Sequence, residues 1–268
     1  MSERIAVLGG GVMGETLLSA LLGSGHPRDG LVVSEKLPER AEELRARHAV
    51  EVTDPRSAVE GADVVLVVVK PQDVAGLLDE VGPAVSSGAT VVSLAAGVRI
   101  ATLEQRLADG VAVVRAMPNT PALVGQGMFG VSAGAGCDEA RLARVVELLG
   151  TGGRVVVVPE DQQDAVTAVS GSGPAYVFYL AEAMIDAGVA EGLDPATARV
   201  LAEQTIAGAA ALLADADDEP AELRRRVTSP HGTTHAAITT FDEHGVDAGL
   251  RAGVRAAARR SAELSGPA

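Results

Sequence analysis

Residues 4–14, RIAVLGGGVMG, set an apolar run of strand length directly against a cluster of glycines, and residues 15–22, ETLLSALL, follow with apolar side chains at helical spacing. The pattern predicts a strand, a tight glycine turn and a helix. Gly9, Gly11 and Gly14 fit G-x-G-x-x-G in the context that gives it meaning. The first glycine allows the turn, the second lets the backbone approach a pyrophosphate, and the third lets the helix pack closely on the strand. Val12 and Met13 lie between them, where the first free amides of the helix would face the phosphates. This is the opening of a dinucleotide-binding α/β domain.

A second apolar run, residues 31–34, ends at Ser34 and is followed by Glu35. An acidic residue about 20 positions beyond the last glycine is placed to bind a ribose and so favours NAD. Lys36 and Arg40 come next, and either could pair with the extra phosphate of NADP if Glu35 turned away. Glu35 and Arg40 could equally form a solvated pair at the entrance of a helix over 38–48. The cofactor choice between NADH and NADPH stays open at this point.

Residues 63–69, DVVLVVV, form a β-branched run suited to a central parallel strand buried on both faces, and end in Lys70-Pro71. Helix over 73–81, strand over 90–94, helix over 100–107, strand over 111–115 and a last strand over 154–158 continue the alternation and predict a doubly wound, Rossmann-type parallel sheet. In such a sheet ligands sit beyond the strand carboxyl ends. Val69, Lys70 and Pro71, then Ala95, Ala96 and Gly97, and then Met117 to Pro121 with Asn119, are therefore expected to line one crevice. The domain boundary is placed near Pro159, giving residues 1–159 and 160–268.

From residue 160 onward strand signals vanish and Ala-rich helical pattern predicts an all-α domain, with helices over 161–169, 175–190, 195–213, 222–227, 233–244 and 246–264. Apolar side chains surround much of many of these helices, so a second copy of the chain is expected to complete the core as a homodimer, with further assembly of dimers left open. Ser170-Gly171-Ser172-Gly173-Pro174 interrupts the helices, with Ser172 or Gly173 as the cap of the long helix that follows. Residues 227–238, VTSPHGTTHAAI, read as a hydroxyl-rich turn entering a helix. Ser229, Gly232, Thr233 and Thr234 there could hold a carboxylate on free helix amides without Lys or Arg.

Composition narrows the class. The formal charge is −14, which argues against nucleic acid or an anionic membrane as the principal partner. The single cysteine, Cys137, excludes an internal disulfide framework, and no metal-ligand spacing is present. The start of the chain enters a strand without the pattern of a secretory leader, and no uncharged run reaches the ~20 residues of a membrane helix, so a cytoplasmic protein is expected.

GGGVMG at 9–14, VKP at 69–71, SLAAGV at 93–98, RAMPNTPALVGQG at 115–127, SGSGPAYVF at 170–178 and VTSPHGTTHAAI at 227–238 together resemble the pyrroline-5-carboxylate reductase family nearly end to end. That family usually has glycine where His231 stands and often alanine where Gly14 stands. The resemblance implies hydride transfer from NADPH or NADH to 1-pyrroline-5-carboxylate, giving proline. It implies that Val227, Ser229, Gly232, Thr233 and Thr234 hold the substrate and that Gly173 and Pro174 border it and, with Asn119, frame the nicotinamide. Thr234 is then the hydroxyl within reach of the ring nitrogen. An iminium substrate already carries its proton, so no strong acid is required. His231 could touch the carboxylate or the nicotinamide, or face solvent. Reduction of another cyclic imine and a non-catalytic dinucleotide sensor are the alternatives. A 3-hydroxyacid dehydrogenase would need a lysine in the helical half, and Lys36 and Lys70 are the only lysines in the chain.

Overall fold

The computed structural model describes residues 3–266. It divides into two compact units: residues up to Ser172 together with those from Ala257 onward, and residues Gly173–Ala256.

The first unit is one eight-stranded sheet in the order β3-β2-β1-β4-β5-β6-β7-β8. Its strands are β1 (Ile5–Leu8), β2 (Leu31–Ser34), β3 (Glu51–Thr53), β4 (Val64–Val67), β5 (Thr90–Ser93), β6 (Ala112–Met117), β7 (Gly127–Ala133) and β8 (Gly153–Val157). Between them run α1 (Val12–Gly23), α2 (Pro38–His48), α3 (Pro55–Val59), α4 (Pro71–Val81), α5 (Ile100–Glu104) and α6 (Glu139–Gly150). Pairing is parallel from β3 through β6, as β-branched runs buried on both faces require. Alternation splits the side chains into two cores. Ile5, Val7, Val33 and Leu66 pack on one face with Leu17, Leu18 and Phe129, while Ala6, Leu8, Val32, Val65 and Val67 pack on the other with Val74 and Leu78.

Two strands depart from the expected parallel series. β7 runs antiparallel to β6, and β8 pairs parallel to β7. β7 has no sequence signature because glycines stand where strand residues would. A Cβ on Gly130 would lie 2.4 Å from Val166 Cγ1, and one on Gly127 would lie 2.8 Å from both Ala122 Cβ and the Gly152 carbonyl. Close packing demands glycine at both positions, at the cost of the alternating pattern.

The compact division also differs from the boundary placed at residue 159. α7 (Gln163–Val166) lies on the sheet, where the fully buried Gln163 donates from Nε2 to the Gly130 carbonyl at 3.1 Å and to Ser132 Oγ at 2.8 Å. Instead of an open interruption at residues 170–174, a π-helical turn (Thr167–Gly171) joins α7 to α8 (Gly173–Ala190). Its signature is the Ser172 amide donating to the Thr167 carbonyl, five residues back, at 2.8 Å. Such π turns recur at functional sites.

The second unit holds α8, α9 (Pro195–Asp215), α10 (Pro220–Arg226), α11 (Thr233–Glu243) and the first part of α12 (Val246–Ser265). Asp194 caps α9 by accepting from the amides of Ala196 and Thr197, both at 3.1 Å. The last turns of α12 belong to the first unit, where Ser261 Oγ donates to Asp164 at 2.6 Å and Arg99 donates to the Gly266 carbonyl at 3.0 Å. Among the described residues no helix is long and apolar enough to cross a membrane.

Candidate active site

Each glycine of the first turn has its own physical reason. Gly9 has φ 109°, and a Cβ there would sit 2.7 Å from the Val68 carbonyl oxygen. A Cβ on Gly14 would fall 1.9 Å from the Gly9 carbonyl oxygen, so in this chain α1 packs closer to the turn than a side chain there would let it. Gly11 is different. A Cβ there would meet nothing within 4 Å, and as the N-cap of α1 it offers no side-chain hydrogen bond. The uncapped start of α1 therefore faces open space, which is what a pyrophosphate on the helix amides needs.

That space belongs to a cavity of about 1340 Å³ along the carboxyl ends of β1, β2 and β4. Leu8, Gly9, Gly11, Ser34, Glu35, Lys36, Val69 and Lys70 line it, as do Arg45, Thr53 and Asp54. A groove of this size, with a glycine cradle at one end and mixed polar walls, fits an extended dinucleotide.

The glycine turn is held from behind. The Gly10 amide donates to Glu35 Oε2 at 2.9 Å, and the Gly10 carbonyl accepts from Arg40 Nε at 2.9 Å. The second Glu35 oxygen accepts from the Leu37 amide at 2.9 Å. Arg40 also pairs with Glu15 and with Glu43, and Glu15 receives Arg47 at 2.7 Å and His48 at 2.8 Å. Burial alone would push the Glu15 carboxyl up, but hydrogen bonds from His48, Arg40 and Arg47 outweigh it and hold the group down at about 2. A permanently ionised Glu15 thus anchors the arginine that anchors the turn. Arg40 is spent in this brace, which removes it as a partner for a cofactor phosphate.

In the second unit, α10 ends at Val227 and Thr228 Oγ1 bonds back to the Arg224 carbonyl at 2.6 Å. The Gly232 amide then donates to the Ser229 carbonyl at 3.0 Å, closing a β-turn over Pro230 and His231. His231 has φ 62°, in the position of a Pro-containing turn that glycine ordinarily occupies. Its ring lies 6.1 Å from that of His235, on the first turn of α11. Gly232, the N-cap of α11, supplies no side-chain cap, and the hydroxyls of Ser229, Thr233 and Thr234 make no hydrogen bond to another described residue. The result is an uncapped helix start with three spare hydroxyls, suited to an anion bearing further polar atoms.

Comparison with known proteins agrees with both halves. Residues 160–264 match the family model described as pyrroline-5-carboxylate reductase dimerisation, and residues 4–97 match one described as NADP oxidoreductase, coenzyme F420-dependent. A pyrroline-5-carboxylate reductase of Corynebacterium melassecola is 44% identical over 97% of this chain and 98% of its own length. The chain belongs to the pyrroline-5-carboxylate reductase family. The Pseudomonas aeruginosa member is 43% identical over 98% of this chain and 97% of its own. The solved pyrroline-5-carboxylate reductase of Coxiella burnetii superposes with a TM-score of 0.94 at 32% identity, covering 100% of both chains.

Within this family frame, the residues expected from sequence separate by place. Gly9, Gly11, Ser34, Glu35, Lys36, Val69 and Lys70 gather on the 1340 Å³ cavity, with Pro71 opening α4 beside it. Val12 and Met13 start α1, but the Val12 side chain lines a separate cavity of about 460 Å³ beyond that helix. Ala95, Ala96 and Gly97 do not line the large cavity. A Cβ on Gly97 would sit 3.5 Å from both the Leu264 carbonyl oxygen and Ser265 Oγ, because the end of α12 packs there. Asn119 ties three segments of the first unit together, donating to Ser170 O and Oγ at 3.3 Å and accepting from the Met128 amide at 2.9 Å. Val227, Ser229, Gly232, Thr233 and Thr234 lie together in the second unit, where Gly173 and Pro174 open α8.

Sequence reasoning missed Arg45, Thr53 and Asp54, which reach the cavity from α2, the three-residue β3 and the turn after it. The readable signal was Asp54-Pro55, an N-cap followed by proline, with Asp54 accepting from the Ser57 amide at 3.0 Å.

Proposed function

We propose that this chain reduces 1-pyrroline-5-carboxylate to L-proline with NAD(P)H, the last step of proline synthesis. The observation that carries the reading is the turn at Ser229–Thr234, which offers an uncapped α11 terminus and spare hydroxyls within a family named for this carboxylated imine. The reduced nicotinamide supplies the hydride when bound. The chain's own residues bind and orient. The α11 amides take the substrate carboxylate, aided by Ser229 and Thr233, and Gly232 and Val227 leave room for the ring. Thr234 directs its hydroxyl to the ring nitrogen and stabilises the developing amine. Gly173 and Pro174 border the reacting ring, and Asn119 holds the Met117–Pro121 loop in the shape that frames the nicotinamide. Gly9, Gly11, Val12, Met13 and Gly14 seat the pyrophosphate, while Ser34, Glu35, Lys36, Val69 and Lys70 form the walls of the cofactor groove beside Pro71, and Ala95, Ala96 and Gly97 follow β5 outside those walls.

The functional division follows the sequence boundary: residues 1–159 bind the dinucleotide, and 160–268 bind substrate and dimerise. The homodimer forms through the helical half, and the protein works in the cytoplasm. Light scattering across a concentration series reads the assembly. The deciding experiment follows loss of reduced-nicotinamide absorbance with purified protein and 1-pyrroline-5-carboxylate. Turnover is expected, and Thr234→Ala should lower kcat/KM by about 10–100-fold, below the range of a full general acid. Absence of turnover with both cofactors would overturn the reading.

A further inference from the structure

We infer that Lys36 selects NADPH by holding the adenosine 2′-phosphate, and that Glu35, the residue whose position ordinarily signals NAD, is a positioning residue for the glycine turn. The inference rests on the cavity being the dinucleotide site proposed above.

Glu35, Lys36, Arg40 and Arg45 are four of the charged side chains that follow β2. An acidic side chain there favours NAD when its oxygens are free for the ribose hydroxyls, and its charge repels a 2′-phosphate. Here both Glu35 oxygens accept backbone amides, those of Gly10 and Leu37, each at 2.9 Å. Each carboxylate oxygen is thus held by a backbone amide, and the group's charge is partly offset by two N–H dipoles. Arg40 donates to the Gly10 carbonyl, to Glu15 and to Glu43, and Arg45 donates to the Val52 carbonyl at 2.8 Å and to Glu42 at 3.3 Å. Lys36 alone of the four has no hydrogen bond or ion pair to another described residue, and it stands exposed on the cavity wall between Glu35 and Leu37. Lys70, the other lysine of the cavity, is at the end of β4, two strands away from β2 across β1. A phosphate on the ribose held at the end of β2 therefore meets one uncommitted cation, Lys36. Glu35 and Arg40 grip the two polar groups of Gly10 from opposite directions, so they act on any dinucleotide alike.

The test measures binding of 2′,5′-ADP and of 5′-ADP by calorimetry to wild type, Lys36→Gln and Glu35→Gln, with the NADPH-to-NADH ratio of kcat/KM as a second readout. Wild type should bind 2′,5′-ADP at least about tenfold tighter than 5′-ADP, the scale of one charge-assisted contact at an exposed site, and the margin should shrink as salt is raised. Lys36→Gln should erase most of that margin while 5′-ADP affinity stays within about twofold, since one surface charge is removed from a site the second ligand does not use. Glu35→Gln should weaken both ligands alike. Equal binding of the two ligands by wild type would overturn the inference, as would equal loss of both in Lys36→Gln. A Glu35→Gln protein that gains 2′,5′-ADP affinity while losing 5′-ADP would restore Glu35 as the ribose ligand. Binding of neither nucleotide by folded wild type would reject the cavity reading itself, whereas nucleotide binding without imine reduction would reject the proposed reaction and leave Lys36 standing.

Discussion

The two units of this chain differ in where their cores are. In the first, the strands are sealed on both faces, with Ile5, Ala6, Val65, Val67, Val91 and Val92 all at 0% exposure. In the second, Ala198 and Ala202 are the only buried side chains among the described residues, while Phe178 is 62% exposed, Tyr179 73% and Leu201 52%. The helices of both are well formed, so the contrast lies in packing rather than in secondary structure. A parallel sheet wrapped by its own crossovers closes its core within one chain. A set of helices that are apolar over much of their circumference does not, and exposed apolar surface of this extent marks an association face. The first unit is built to be complete and the second to be completed.

Core truncation in the first unit tests the comparison with the largest effect. Leu66, 1% exposed in the middle of the sheet, should cost about 2–5 kcal/mol as Leu66→Ala. The loss is read from the urea midpoint, with the oligomeric mass unchanged. Phe178→Asp should do the reverse, leaving the α/β core folded but weakening association by at least about tenfold, the equivalent of about 1.4 kcal/mol. Its melting temperature should also lose part of its dependence on protein concentration. A Phe178→Asp protein that remains dimeric at low concentration would break the comparison.

Electrostatics sharpen it further, because the first unit also carries a partly buried ionic brace. Glu15→Gln should cost about 1–2 kcal/mol at neutral pH. Since the folded carboxyl titrates at about 2 against an ordinary 4.5, its contribution is complete above 4.5 and is lost as pH falls through about 2. The stability gap between wild type and Glu15→Gln should therefore narrow across that window. A constant gap would mean that Glu15 acts through packing. The smallest expected effect is a gain in the second unit. His231, at φ 62°, should yield about 1 kcal/mol on replacement by glycine, visible as a higher midpoint in thermal melts. No gain, or a loss, would show that the His231–His235 contact offsets the backbone strain.

Much of this protein is local and therefore legible in one dimension. At Gly9 and Gly14 the turn brings backbone closer than a Cβ allows, so the glycine spacing, with a strand run before it and a helical run after it, announced the dinucleotide fold. β-branched runs announced β1, β2, β4 and β5, and the Ser-Pro…Gly-Thr-Thr pattern at 229–234 announced an uncapped helix start. What stayed hidden is non-local. β7 could not be read because Gly127 and Gly130 answer to Ala122, Gly152 and Val166, partners that only folding brings near. The break expected at residues 170–174 became a π turn, and the sheet claimed α7 by burying Gln163. The charges after β2 are the clearest case. Sequence could place Glu35, Lys36 and Arg40 at the ribose end of a nucleotide site, since that depends only on distance along the chain from the glycine turn. Which of them is free depends on the Gly10 peptide and Glu15, brought in by the turn after β1 and by α1, and on Glu43 one turn further along α2. Hydrogen-bonding capacity is finite, and only the tertiary structure decides where each group's capacity has already been used.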